Sequence, residues 1–183
     1  SMAVTEFAKA HSMTPFMVFH AVLSLVLCRH SNQKEFIVGS PVANRQKAEL
    51  APLIGFFVNT LVLKTSVQCD SVSAYLEHIK QINFEAQSYQ DVPFEQIVEH
   101  CQIERSFQHT PVFQVMLSMF HEEQKAQSEL ALQGVVFEAI EQQSTTVKYD
   151  LDINIALTDH GFVVHWVYDT DLFDQTTIEQ IDR

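Results

Sequence analysis

The stretch 147–168, VKYDLDINIALTDHGFVVHWVY, constrains this chain more than any other. Val147, Tyr149, Leu151, Ile153 and Ile155 alternate with Lys148, Asp150, Asp152 and Asn154, the period of two that marks a half-buried strand. Asp159-His160-Gly161 supplies a turn, and FVVHWVYD returns as a second strand, so the pair reads as a hairpin. GVVFEAIE (134–141) precedes it as another strand, which makes the C-terminal third strand throughout. Asp150 and Asp152 fall on one face of their strand. They admit a reading as paired carboxylates; the plainer reading is a solvated polar face.

Helices come first in the chain. Residues 3–11 read as a short helix. Thr14-Pro15 then gives an N-cap and a first-turn proline for a helix running to about His30. Phe16, Val18, Phe19, Val22, Leu23, Leu25, Val26 and Leu27 surround that axis, which predicts burial on most sides. EFIVGSPV (35–42) reads as a strand ended by Gly39 and Pro41, followed by the polar loop ANRQKAEL. LIGFFVNTLVLKTS (53–66) is a continuous apolar run and predicts a long buried strand, with Asn59 and Thr60 set oddly in its middle. Asp70 and Ser71 are cap residues for a helix over 72–88, and VPFEQIVEHC (92–101) is a second, shorter one. VFQVMLSMF (112–120) is a strand, HEEQKAQSEL a charged connection, and Asp174 caps a last helix. That helix stops in its second turn at Arg183, which points to a truncated chain. The sum is one compact mixed α/β lobe without internal repeats.

Of the 183 residues, 46% are hydrophobic, too many for a disordered chain. The net charge of −12, with no cluster of Lys and Arg, lacks the footprint of a nucleic-acid partner and makes an anionic membrane an equally poor one. The apolar run from Phe16 to Leu27 is too short to cross a bilayer. Cys28, Cys69 and Cys101 are an odd number at wide spacing, so they suggest neither a disulfide framework nor zinc, and a reduced cytoplasmic protein fits best. Ser1-Met2 reads as the scar of a cleaved tag. The four glycines are too far apart for a phosphate loop or a dinucleotide fingerprint. There is no G-x-S-x-G elbow and no H-E-x-x-H. Ser106 and His109 are conceivable as nucleophile and base, but no orienting carboxylate accompanies them.

Three segments change the reading: IGFFVNTLVLKT (54–65), YQDVPFEQIVE (89–99) and ERSFQHTPVFQVML (104–117). Their order and spacing resemble the later core motifs of condensation domains of nonribosomal peptide synthetases, as do IVGSPVANR (37–45) and YDTDLFD (168–174). The resemblance implies a chloramphenicol acetyltransferase-like lobe: an α/β (α+β) two-layer sandwich with a mixed, largely antiparallel sheet packed by helices. It implies a domain of two such lobes around a tunnel, in which the amine of one carrier-bound substrate attacks the thioester of another. No cofactor is implied beyond the phosphopantetheine arms of the donor and acceptor peptidyl carrier proteins, which are the implied partners together with an N-terminal lobe. The family's H-H-x-x-x-D-G belongs to that first lobe, and none of the nine histidines here adjoins another. Residues 3–183 thus resemble the C-terminal lobe alone, without a catalytic residue of its own and with an apolar face exposed where its partner belongs. A non-catalytic lobe that docks carrier proteins or serves as a scaffold is the alternative.

On this resemblance Asn59 and Thr60 either line the tunnel or brace the lobe. Asp91, Pro93 and Phe94 look like a shape motif: a helix cap, a first-turn proline and a core ring. On the 112–120 strand, Gln114, Met116 and Ser118 share the face expected to form tunnel wall, with Ser118 the preferred polar contact, and Phe113, Val115, Leu117 and Met119 lie on the other. The V-N-T segment and the absence of F-N-Y-L-G resemble ordinary condensation rather than heterocyclisation or epimerisation domains. ERSFQHTPVFQV leans toward the form that takes a D-configured donor.

Overall fold

A computed structural model describes residues 2–102, 110–121 and 146–183. The strand expected over 134–141, the connection before it, and Ser106 and His109 lie outside the described residues. Helix α1 (Met2–Ala10) leads into α2 (Pro15–Ser31). Thr14 caps α2 by accepting from the Met17 N–H at 3.2 Å, and Asn32 ends it in the left-handed region at φ 54°. Strand β1 is Glu35–Val42, β2 Asn59–Ser66, β3 Val115–His121, β4 Leu151–Thr158 and β5 Gly161–Tyr168. Helix α3 is Val72–Ser88, α4 Phe94–His100 and α5 Gln175–Asp182.

The five strands form one sheet in the order β2-β1-β3-β4-β5. The outer pairs, β1–β2 and β4–β5, are antiparallel, and the inner pairs, β1–β3 and β3–β4, are parallel. This is the mixed α/β lobe expected, with its antiparallel share confined to the edges.

Alternation sorts the strands into two faces. Val38, Val115, Leu117, Leu151, Ile153 and Ile155 turn to one side and pack with Leu23 and Leu27 of α2 and Ile178 of α5. A second cluster joins α1, α2 and α3 through Ala8, Met17, Val18, Ala21, Tyr75, Leu76 and Ile79. Helices α2 and α5, with α1 and α3 packed on α2, thus cover one side of the sheet, and the other side carries the site. Helix α2 is less enclosed than its composition implies. Val22 and Leu25 are 56% and 42% exposed, because the sheet and the two neighbouring helices leave its outer edge free.

The long strand expected over 53–66 is shorter than its apolar run. Its ladder with β1 ends at Val42↔Asn59, so residues 53–58 have no strand to pair with. They run as an exposed loop in which Ile54 is fully exposed and Phe56 is 92% exposed. Arg45 organises the loop: its guanidinium donates to the Leu50 and Gly55 carbonyls and lies over the Phe57 ring, 4.2 Å from the centroid.

At the centre of the sheet Gly39 is required by a close approach. A Cβ there would overlap the ring of Phe113, which is 2% exposed and held between Phe94 and Tyr149. Overpacking of a ring that cannot retreat typically costs ~1–3 kcal/mol. Gly39→Ala is therefore expected to lower the unfolding free energy by that amount in urea titrations; an unchanged value would show that the ring has room to move.

Candidate functional site

The open face of the sheet forms the back of a cleft of about 760 Å³. Met116 and Ser118 of β3 and Asp152 and Asn154 of β4 project into it, opposite in the alternation to the buried Leu117 and Ile153. Residues 56–58 of the preceding loop, Asn59 and Thr60 at the start of β2, and Asp91, Pro93 and Phe94 line the rest of the cleft. Three rings close one end: Phe94 to Phe113 at 5.5 Å and Phe113 to Tyr149 at 5.6 Å between centroids. Lys148 sits above Tyr149, its ammonium 5.3 Å from the ring centre.

Of the residues singled out from the sequence, Asn59, Thr60, Met116, Ser118, Asp91, Pro93 and Phe94 all line this one cleft. Asn59 does so as a brace. Its amide Nδ2 donates to the carbonyls of Gln90 and Val92, both at 2.7 Å, and its Oδ1 accepts from the Phe94 N–H at 3.2 Å. Both of its N–H groups are thereby engaged, so the residue joins the start of β2 to the start of α4 and keeps no N–H for a ligand.

Four readings need correction. Asp91 is not the cap of α4: Pro93 holds the N-cap position, no local side chain caps the helix, and the acceptor for the first helical N–H comes from Asn59 across the chain. Phe94 is half-buried in the cleft rather than in a core. Gln114 also lies elsewhere, in a groove with Gln33, Glu35 and Lys64, its Nε2 donating to the Thr110 carbonyl. Regular alternation begins only at Val115. Before it, Val112 takes φ 74° and the Thr110 hydroxyl donates to the Phe113 carbonyl, a turn that sends Phe113 into the cleft instead.

The plainer sequence reading leaves Asp152 on a solvated face and does not single out Asn154. The parallel register sets Ser118 beside Asn154, and the Ser118 hydroxyl donates to Asn154 Oδ1 at 2.5 Å. Asn154 Nδ2 donates in turn to Asp152 Oδ1 at 3.1 Å. Burial pushes the Asp152 carboxyl up; the Asn154 bond and the charge of Lys148 oppose this. The strand alternation put these polar residues on one face, but only the pairing of β4 with β3 shows that the face is a cleft wall.

The chain matches the condensation domain family over residues 1–183. It is 34% identical over 177 residues to tyrocidine synthase 3 of Brevibacillus parabrevis, covering 96% of this chain and 3% of that protein. It is 36% identical to malpinin synthetase of Mortierella alpina, covering 97% of the chain and 2% of the relative. With gramicidin S synthase 2 of Brevibacillus brevis it shares 32% identity, over 92% of this chain and 4% of that one. Among solved structures it is similar to the X-domain in complex with OxyB from teicoplanin biosynthesis, with a TM-score of 0.82, 21% identity and coverage of 97% of this chain and 39% of that one. The first condensation domain of the calcium-dependent antibiotic synthetase, in complex with a substrate analogue, gives 0.69 at 15% identity over 98% and 38%. This chain belongs to the condensation domain family. It spans only a few per cent of the length of these curated relatives.

Proposed function

We propose that the chain is the C-terminal lobe of a condensation domain that forms peptide bonds between carrier-bound aminoacyl or peptidyl thioesters in a cytoplasmic nonribosomal peptide synthetase. The observation that carries this reading is the cleft itself: the motifs through which the sequence resembles the family, V-N-T, D-V-P-F and V-F-Q-V-M-L-S, converge on one open-faced groove. Among the described residues the groove is lined by polar side chains and aromatic rings. The exposed apolar loop at its rim, with Leu53, Ile54, Phe56 and Val58, supports a partner surface there. Donor and acceptor carrier proteins are the proposed partners, the substrates riding on their phosphopantetheine arms with no cofactor held by the lobe. No single described helix is long and apolar enough to cross a membrane.

Amide formation needs amine and thioester held together, an effect that supplies up to ~7–11 kcal/mol of the barrier. One wall of a tunnel cannot do this, and proton transfer by a placed histidine, worth ~10²–10⁴-fold, is also missing. Residues 1–183 incubated with loaded donor and acceptor carriers are therefore expected to give no dipeptidyl thioester above the enzyme-free rate by mass spectrometry, with product forming once the N-terminal lobe is supplied. Failure of the complete two-lobe domain to give product would reject the catalytic reading in favour of a docking or scaffold lobe.

A further inference from the structure

The hydrogen bonds on the cleft wall have a direction. An ionised Asp152 only accepts, so the side of the Asn154 amide that meets it must be Nδ2. Oδ1 of Asn154 is then turned to Ser118, whose one O–H is used in donating to it. Among the described residues, what the row still offers is the second Asp152 oxygen and the lone pairs of the Ser118 hydroxyl, against a single remaining Asn154 N–H. It is an acceptor surface with a negative charge, half-buried in the cleft and in no ion pair among the described residues. Lys148 lines the same cleft but sits over Tyr149 rather than on the carboxylate. At the Asp152 carboxylate itself an N–H donor meets acceptors that no described residue fills, and a carboxylate or phosphate ligand meets like charge. Burial has already raised the Asp152 carboxyl, the sign of a charge short of solvation that an ammonium would relieve.

We infer that Asp152, held by Asn154 and Ser118, binds a primary amine: the attacking amino group of the acceptor aminoacyl thioester. The inference rests on the condensation reading for the identity of the ligand. Met116 beside the row and the Phe94–Phe113–Tyr149 end of the cleft supply apolar surface for the rest of an aminoacyl group. Asp152 is a binding and positioning residue, and proton removal stays with the other lobe.

The test is equilibrium binding to the complete two-lobe domain of alanyl-pantetheine with an amide in place of the thioester, beside its N-acetyl counterpart. The wild type is expected to prefer the free amine at least ten-fold. Asp152→Asn should remove that preference while binding the N-acetyl probe as before, which also shows that the variant's cleft is intact. Ser118→Ala should reduce the preference by a smaller factor. Equal affinity of the wild type for both probes, or an Asp152→Asn variant that keeps the preference, overturns the inference. Dipeptide formation measured on the same samples judges the condensation reading separately: a wild type that prefers the amine yet makes no product leaves the amine site standing and rejects the reaction.

Discussion

Between pH 6.5 and pH 4 the chain is expected to lose about 3 kcal/mol of folding stability through one side chain, His20. The ring is wholly buried between α2, α3 and β2. Asn83 Nδ2 donates to the Ile79 carbonyl at 2.8 Å and stands 3.0 Å from His20 Nδ1, so Nδ1 is the accepting nitrogen. Nε2 then carries the proton and donates to Thr65 Oγ1 at 3.0 Å. A second proton has no acceptor. Burial first, and the charge of nearby His78 second, lower the pKa from 6.5 to about 4. His78 itself accepts from the Ser66 N–H at 3.2 Å, and the Tyr75 hydroxyl donates to the Ala21 carbonyl on the same side of α2. As pH falls through 6.5 the unfolded chain takes up a proton that the folded chain refuses, so stability drops at about 1.4 kcal/mol per pH unit until about pH 4. Above 6.5 the contribution is complete, and below 4 it falls no further. His20→Gln, which keeps one donor and one acceptor but does not titrate, should remove this share from a plot of urea-unfolding free energy against pH. A variant losing as much as the wild type over that interval would assign the slope to other groups.

This network also marks where sequence reasoning stopped. The sequence placed α2, α3, β1 and β5 to within a residue or two, because cap residues bound the helices and turn-forming residues bound the strands. Within α3 the apolar Val72 is 73% exposed and the polar Asn83 is buried. An asparagine becomes a core residue only when a distant histidine and the carbonyl of its own helix meet it, and neither distance is written in one-dimensional order. The cleft divides the same way. The polar residues Ser118, Asp152 and Asn154 were each visible on a strand face, but the contact between them depends on a parallel register across 36 residues of chain. The apolar run 53–58 misled for the opposite reason: composition said strand, and pairing length, set by β1, said loop.

Asn59→Ala is expected to lower stability by about 2 kcal/mol, within the ~1–3 kcal/mol range for polar groups left unmatched. The substitution removes both donors to the Gln90 and Val92 carbonyls and the one side chain seen to accept from the first N–H of α4. These groups are part-buried or exposed, so water recovers some of the loss and the three bonds do not each count in full. For a chain of this size the melting temperature should fall by about 4–8 °C. The damage should be local before it is global: α4 buries no residue fully, so the amide of Phe94 should exchange faster with solvent well below the transition. Asn59→Asp sharpens the case. It keeps the acceptor for the Phe94 N–H but faces a carboxylate toward two carbonyl oxygens, so it should be at least as destabilising as alanine. A tunnel contact without a bracing role predicts the reverse pattern, an unchanged melting temperature with slower condensation in the complete domain. Measuring melting, amide exchange and condensation on one purified variant decides between them. An Asn59→Ala protein that melts with the wild type would leave the three hydrogen bonds without energetic consequence and return Asn59 to the substrate.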